Sequence, residues 1–215
     1  MITVGGNGMK IERYGGMGYT SNCYLLTDEN EKECYIVDPS VSRIEIERKR
    51  GRALPPVRTL LLTHAHFDHM LALDAWRKEG VPLAVHGADA PALGDPQKNL
   101  FGYFLNQNTT FAPPEIILKE GDVLPCGTEE IRVLHTPGHA LGAVCFLAGE
   151  ILVSGDTLFA GDIGRTDLYG GHEPTLAASL RRLATLPEDT AVYPGHGPAT
   201  TVSREKKYNP YMMTE

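Results

Sequence analysis

Three imidazoles and a carboxylate fall within the six residues from His64 to His69, directly after a mostly apolar stretch from Val57 to Thr63. An apolar run of that length reads as a buried strand whose two faces are both covered. Alternate side chains of an extended segment share a side, so His64, His66 and Asp68 are expected to project together, with His69 opening the helix that follows. Packed in a core, each of these groups would need its own hydrogen-bond partner in a confined space. A metal ion resolves that conflict. Imidazole and carboxylate suit zinc, iron or manganese, whereas calcium or magnesium would call for an almost all-oxygen set.

Three more candidates stand where predicted strands run into glycine-containing loops: His139 in HTPGHA, Asp156 in LVSGDTLF and His196 in YPGHGP. A lone His or Asp at such a place is usually an ordinary loop residue. Three of them beside a compact HxHxDH carry more weight. Gly138, Gly155 and Gly195 directly precede the candidates and are expected to permit backbone turns that other residues resist. His86 and His135 lack this setting and are assigned to core or loop hydrogen bonding. His172 precedes Pro174 and reads either as a pocket wall or as the start of a helix.

The rest of the chain supplies a β-then-α grammar, stated twice. Tyr19 to Thr27 and Glu33 to Val37 suggest an antiparallel hairpin, and Ser42 to Arg50 a short amphipathic helix ended by Gly51. After the histidine cluster come a helical stretch ending at Gly80 and a short strand in PLAVHG, Pro82 to Gly87. Residues 91–114 read as a long surface loop with apolar anchors, of which Phe101 and Phe104 are candidate pocket walls. Strands follow at Ile131 to Leu134, Ala143 to Leu147, Ile151 to Val153 and Ala191 to Tyr193. Between the last two, Pro174 opens a helix with Leu176, Leu180 and Leu183 on one face. Such alternation predicts two packed sheets with helices outside. A chain of 215 residues fits one domain, expected over residues 9–215 behind a loose glycine-rich extension at 1–8.

Composition narrows the function. A net charge of −7 argues against broad contacts with nucleic acid or an anionic membrane. No apolar run approaches a membrane span, and no secretory signal is visible, so a cytoplasmic protein is expected. The four cysteines lie scattered in apolar stretches without a CxxC pair, which reads as reduced core thiols and leaves His and carboxylate as metal ligands.

THAHFDH, then TPGH, SGDTLF and YPGHG, in that order, resemble the metallo-β-lactamase-fold hydrolase superfamily. SGDTLFAGDIGRTDL and VYPGHGPATTVSREKKYNP are most similar to short glyoxalase II-like proteins, the hydroxyacylglutathione hydrolase type. The resemblance implies a four-layer αββα sandwich and two divalent transition-metal ions, zinc foremost, with iron or manganese accepted by the same ligands. His64, His66 and His139 would hold the first ion, Asp68, His69 and His196 the second, and Asp156 would bridge them. A metal-activated hydroxide would then attack the carbonyl of a small-molecule thioester, with Asp68 orienting the water while acting first as a ligand. Arg165, in GRTD, matches a substrate-facing position where a guanidinium could bind a carboxylate; a surface salt bridge is its alternative. Asn22 matches an early strand position and is expected to be structural.

Two departures limit the transfer. The basic C-terminal helical region of glyoxalase II proper is not seen after REKKYNPYMMTE, and GHGPAT replaces a GHEYT-type segment, which puts glutathione in question. The competing readings on the same fold are a persulfide dioxygenase with a single iron and a lactonase-type hydrolase.

Overall fold

The computed structural model describes residues 8–212. The expected extension over 1–8 lies outside these residues apart from Gly8.

Two six-stranded sheets face each other. The first is built in chain order from β1 (Lys10–Gly15), β2 (Asn22–Thr27), β3 (Cys34–Val37), β4 (Val57–Leu61), β5 (Leu83–His86) and β6 (Ile116–Leu118). Its early strands pair antiparallel, and β3 to β6 pair parallel. Helices α1 (Arg43–Arg50) and α2 (Leu73–Lys78) supply the β3–β4 and β4–β5 crossovers, and α3 (Phe101–Leu105) lies between β5 and β6. The second sheet begins with β7 (Val123–Cys126), β8 (Glu129–His135), β9 (Val144–Ala148) and β10 (Ile151–Gly155), all antiparallel. A small hairpin, β11 (Leu158–Phe159) and β12 (Asp162–Ile163), precedes α4 (Glu173–Leu183). Then β13 (Ala191–Pro194) joins β10 in parallel, β14 (Thr200–Thr201) closes the edge, and α5 (Val202–Tyr208) follows.

Side-chain alternation explains the layering. Along β4, Leu60 enters an outer apolar layer with Ile46 of α1 and Trp76 of α2, whereas Leu61 enters the layer between the sheets with Tyr24 and Phe146. In β10, Ile151 and Val153 face that middle layer, and Leu152 faces outward to Leu176, Leu180 and Leu183 of α4. Each central strand is therefore apolar on both faces, and four layers enclose three apolar seams. This is the expected αββα arrangement.

Local signals act as expected at α1: Ser42 Oγ accepts from the Glu45 amide, and Gly51 adopts φ 74°, its N–H reaching the Glu47 carbonyl at 2.8 Å. Residues 91–114 differ from expectation. A 3-10 turn (Ala90–Gly94) and α3 fold this segment onto the first sheet, burying Leu100, Phe101 and Phe111 in its outer layer. The fully buried Asn99 ties it internally, donating to the Thr109 carbonyl and accepting from the Phe101 amide. The polar composition that suggested a loop is thus partly consumed by internal bonding.

Candidate metal centre

β4 ends at Leu61, and the chain leaves the sheet through Leu62 and Thr63 before the histidines. Asp38, just beyond β3, fixes this exit. Its carboxylate accepts from the Thr63 amide and the Thr63 hydroxyl, each at 2.8 Å, and from His69 Nδ1, also at 2.8 Å. Having donated its proton to Asp38, Thr63 Oγ1 accepts from His64 Nδ1 at 3.1 Å. His139 Nδ1 donates to the Arg165 carbonyl at 2.8 Å. These bonds fix tautomers: His64, His69 and His139 each keep Nε2 free to bind a metal.

Two donor groups result. His139 Nε2 lies 3.2 Å from His64 Nε2 and 3.0 Å from His66 Nδ1. On the other side, His196 Nε2 lies 2.9 Å from Asp68 Oδ2, which is 3.6 Å from His69 Nε2. Asp156 stands between them, with Oδ1 3.4 Å from His69 Nε2 and Oδ2 3.6 Å from both His139 Nε2 and His196 Nε2. The HxHxDH residues, His139, Asp156 and His196, drawn from both halves of the chain, therefore converge.

The arrangement departs from simple strand alternation. His64 and His66 share a trio as expected, but residues Phe67–His69 form a 3-10 turn that carries Asp68 to the other group. His69 belongs to that turn, and α2 begins only at Leu73.

The donor chemistry fits metal ions. With the tautomers above, lone pairs of His64 and His139 face each other at 3.2 Å in a buried space, an arrangement that a shared cation stabilises. Buried His69 Nε2 and Asp156 Oδ1 have no hydrogen-bond partner in the protein. Three trios, His64–His66–His139, His64–His69–Asp156 and Asp68–His69–His196, have ligand atoms within 4.8 Å of one another.

Protonation tendencies agree. Burial, reinforced by neighbouring imidazoles, drives His64 and His66 well below the ordinary histidine range, keeping them neutral as ligands must be. Burial also opposes charge on His69, yet Asp38, Asp68 and Asp156 outweigh it and hold that imidazole well above its ordinary value. This carboxylate-rich side calls for positive charge. Asp156 is held low, its burial outweighed by His69, His139 and His196.

The remaining candidates sort clearly. Arg165 lines the cleft above the donors, but its guanidinium makes a bidentate pair with Asp167 at 2.7 and 2.8 Å. Its backbone carbonyl is what touches the site. Phe104 lines the cleft, whereas Phe101 is core. His86 and His135 stack with ring centroids 4.0 Å apart, His86 Nδ1 accepting from the Ala88 amide and His135 Nε2 donating to the Leu141 carbonyl. His172 is the residue before α4, its ring 2.7 Å from the Thr175 hydroxyl. Asn22 is structural, donating to the Pro194 and Gly197 carbonyls on either side of His196. All four cysteines are buried and free.

Two glycines matter for different reasons. Gly155 adopts φ 49°, the left-handed turn expected of it. Gly195 does not have a positive φ; it is needed because a Cβ there would collide with Asp156 Oδ1 and approach His69 Cε1 to 2.8 Å.

Sequence reasoning missed Asp38 and Asp89. Asp38 stands directly before Pro39, a pair that in sequence marks the end of a strand but not the partners of the carboxylate. Asp89 is buried and accepts from the amides of Ala65 and Gly142, which leave no trace in sequence.

This fold and this donor cluster define a metallo-hydrolase architecture. The metallo-beta-lactamase superfamily matches residues 16–196, and the chain belongs to that superfamily. Among its relatives is a Bacillus subtilis protein named "Probable metallo-hydrolase YqgX", 37% identical over 197 residues, covering 89% of this chain and 92% of that one. The hydroxyacylglutathione hydrolase GloC of Haemophilus influenzae is 32% identical, over 96% of this chain and 100% of its own. Among solved structures, the BLEG-1 B3 metallo-beta-lactamase superposes with a TM-score of 0.85 at 35% identity, over 95% of this chain and 100% of that one. No helix among the described residues is long and apolar enough to cross a membrane.

Proposed function

We propose that the protein is a metal-dependent thioester hydrolase of the glyoxalase II type. The observation that carries this reading is the convergence of seven His and Asp donors, with His64 and His139 presenting lone pairs to each other at 3.2 Å. His64, His66 and His139 would hold one divalent ion, Asp68, His69 and His196 a second, and Asp156 would face both. Zinc, iron and manganese all suit this set. When bound, such ions supply Lewis acidity and a water acidic enough to act near neutral pH.

The chain's own residues do the rest. Asp38 and Thr63 hold His69 and His64 in their tautomers. Asp68, which lines the cleft beside the half-exposed His196, would act first as a ligand and can orient a water from there. None of the four cysteines is placed to act as a nucleophile, since all are buried away from the cleft. Similarity to GloC along 96% of this chain favours a thioester as substrate.

The test is turnover by protein of measured metal content across thioesters, lactones, persulfides and β-lactams. We expect about two transition-metal ions per chain, thioester cleavage above the other classes, and loss of that cleavage in a folded His66→Ala variant. Metal-replete protein that leaves thioesters intact, or undiminished turnover by His66→Ala, would remove the reading.

A further inference from the structure

The cleft over the donors has a volume of about 380 Å³ and walls that are apolar on both sides. Phe67 and Phe104 stack at 5.3 Å with 29° between their rings, and Leu100 and Leu168 line the cleft with them. Phe159 and Ile163, from the β11–β12 hairpin, line it beside His196, and Tyr19 lines it as well. Phe104 remains 41% exposed although its partner Phe67 is buried, so part of this aromatic wall is still wetted and offers apolar surface for a ligand to cover.

Charge is as informative as shape. Imidazoles apart, Arg165 is the one cationic side chain among the described cleft residues, and both of its bonded nitrogens are engaged by Asp167. Asp167 takes the Nε and Nη2 edge and balances the guanidinium's charge, so a substrate carboxylate would meet only the Nη1 side of a neutral pair, with a competing carboxylate beside it.

We propose that the cleft selects a thioester whose flanking group is uncharged, apolar and flat, such as a benzyl or phenyl group, rather than one carrying carboxylates. The proposal rests on the thioester reading. The aromatic wall gives such a group a stacking surface and removes it from water, and an apolar pocket discriminates by about 10-fold or more per extra methylene it can fill. The apolar group belongs either to the acyl half or to the thiol half, and separate substrates distinguish these.

Two substrate series settle it. In the first, N-acetylcysteamine thioesters carry acetyl, hexanoyl or phenylacetyl; in the second, an acetyl group is joined to methyl, benzyl or dicarboxylate-bearing thiols. We expect kcat/KM for the phenyl-bearing member of at least one series to exceed its methyl analogue by 10-fold or more. We also expect the ratio to shrink several-fold in Phe104→Ala, and the dicarboxylate thiol to show no advantage over a neutral one. Calorimetric binding of the corresponding non-cleavable thioethers gives a second readout that does not need turnover. If no thioester is cleaved yet the phenyl thioether binds more tightly than its methyl analogue, the reaction reading fails and the ligand class stands. Equal binding and turnover of methyl and phenyl members, or a 10-fold preference for the dicarboxylate thiol, would overturn the inference.

Discussion

Asp89 accepts a 2.9 Å hydrogen bond from the backbone amide of Ala65, the residue between His64 and His66. Its second oxygen accepts from the Gly142 amide at 2.6 Å, so one buried carboxylate joins the loop of His64 and His66 to the loop of His139. Both partners are donors. An asparagine has one acceptor oxygen and would turn its NH2 toward an N–H. Asp89→Asn should therefore cost about 1–3 kcal/mol of stability and weaken metal retention at least several-fold. Denaturant melts and competition with a chromogenic chelator would measure the two effects; wild-type values in both would show that Asp89 is not a clamp.

Chelation should lower the melting temperature and reversibly abolish activity. Stripping the ions would leave the lone pairs of His64 and His139 opposed in a buried space. Ions present at about 100 times their dissociation constant would stabilise the fold by about 2.7 kcal/mol. Scanning calorimetry of stripped and zinc-restored protein checks this, and superimposable melts would count against it.

Gly195→Ala should damage the metal centre more than the sheets. The added methyl would displace Asp156 or His69, whereas the Gly195 amide and carbonyl could keep their bonds to the Gly155 carbonyl and the Asn22 amide. We expect an intact circular dichroism spectrum with metal content lowered by half or more. Full metal occupancy in this variant would contradict the close packing described above.

Acid stability should report on Glu31. Arg52, Lys10 and the buried Arg50 pair with its carboxylate and hold it at about 2, below the usual range, against a smaller opposing effect of burial. Because the folded value lies below the unfolded one, this contribution is complete above the unfolded carboxylate value of about 4.3 and is lost as pH falls toward 2. Glu31→Gln should flatten the dependence of urea-unfolding stability on pH between those limits. An unchanged slope would remove Glu31 from the account.

The histidine cluster was legible because its donor groups are crowded and its partners occupy glycine-flanked strand ends. Alternation alone put Asp68 beside His64 and His66, because it holds only while the chain stays extended and Phe67–His69 curl into a 3-10 turn; the grouping of Asp68 with His69 and His196 came from the family resemblance. Asp38 and Asp89 work through backbone amides and a neighbouring threonine, partners without a sequence pattern. Phe101 and Phe104 looked alike in sequence, yet the turn of α3 sends one to the core and leaves the other at the cleft. Edge strand β1 mixes charged and apolar residues, and β6 is only three residues long with two of them exposed, so neither displayed the long apolar run that revealed β4.

The donors meet where the exits of both sheets come together, and Asn22 and the Tyr24 hydroxyl of one sheet grip the Pro194 carbonyl of the other. Chemistry and selectivity thereby reside on separable parts. Substitutions at the cleft-facing Phe104 of α3 and Phe159 of the β11–β12 hairpin can reshape what reaches the donors, whereas Phe101 and Leu158 in the same segments belong to the interior seams and must stay, so those two cleft positions are the natural places to retarget this scaffold by engineering.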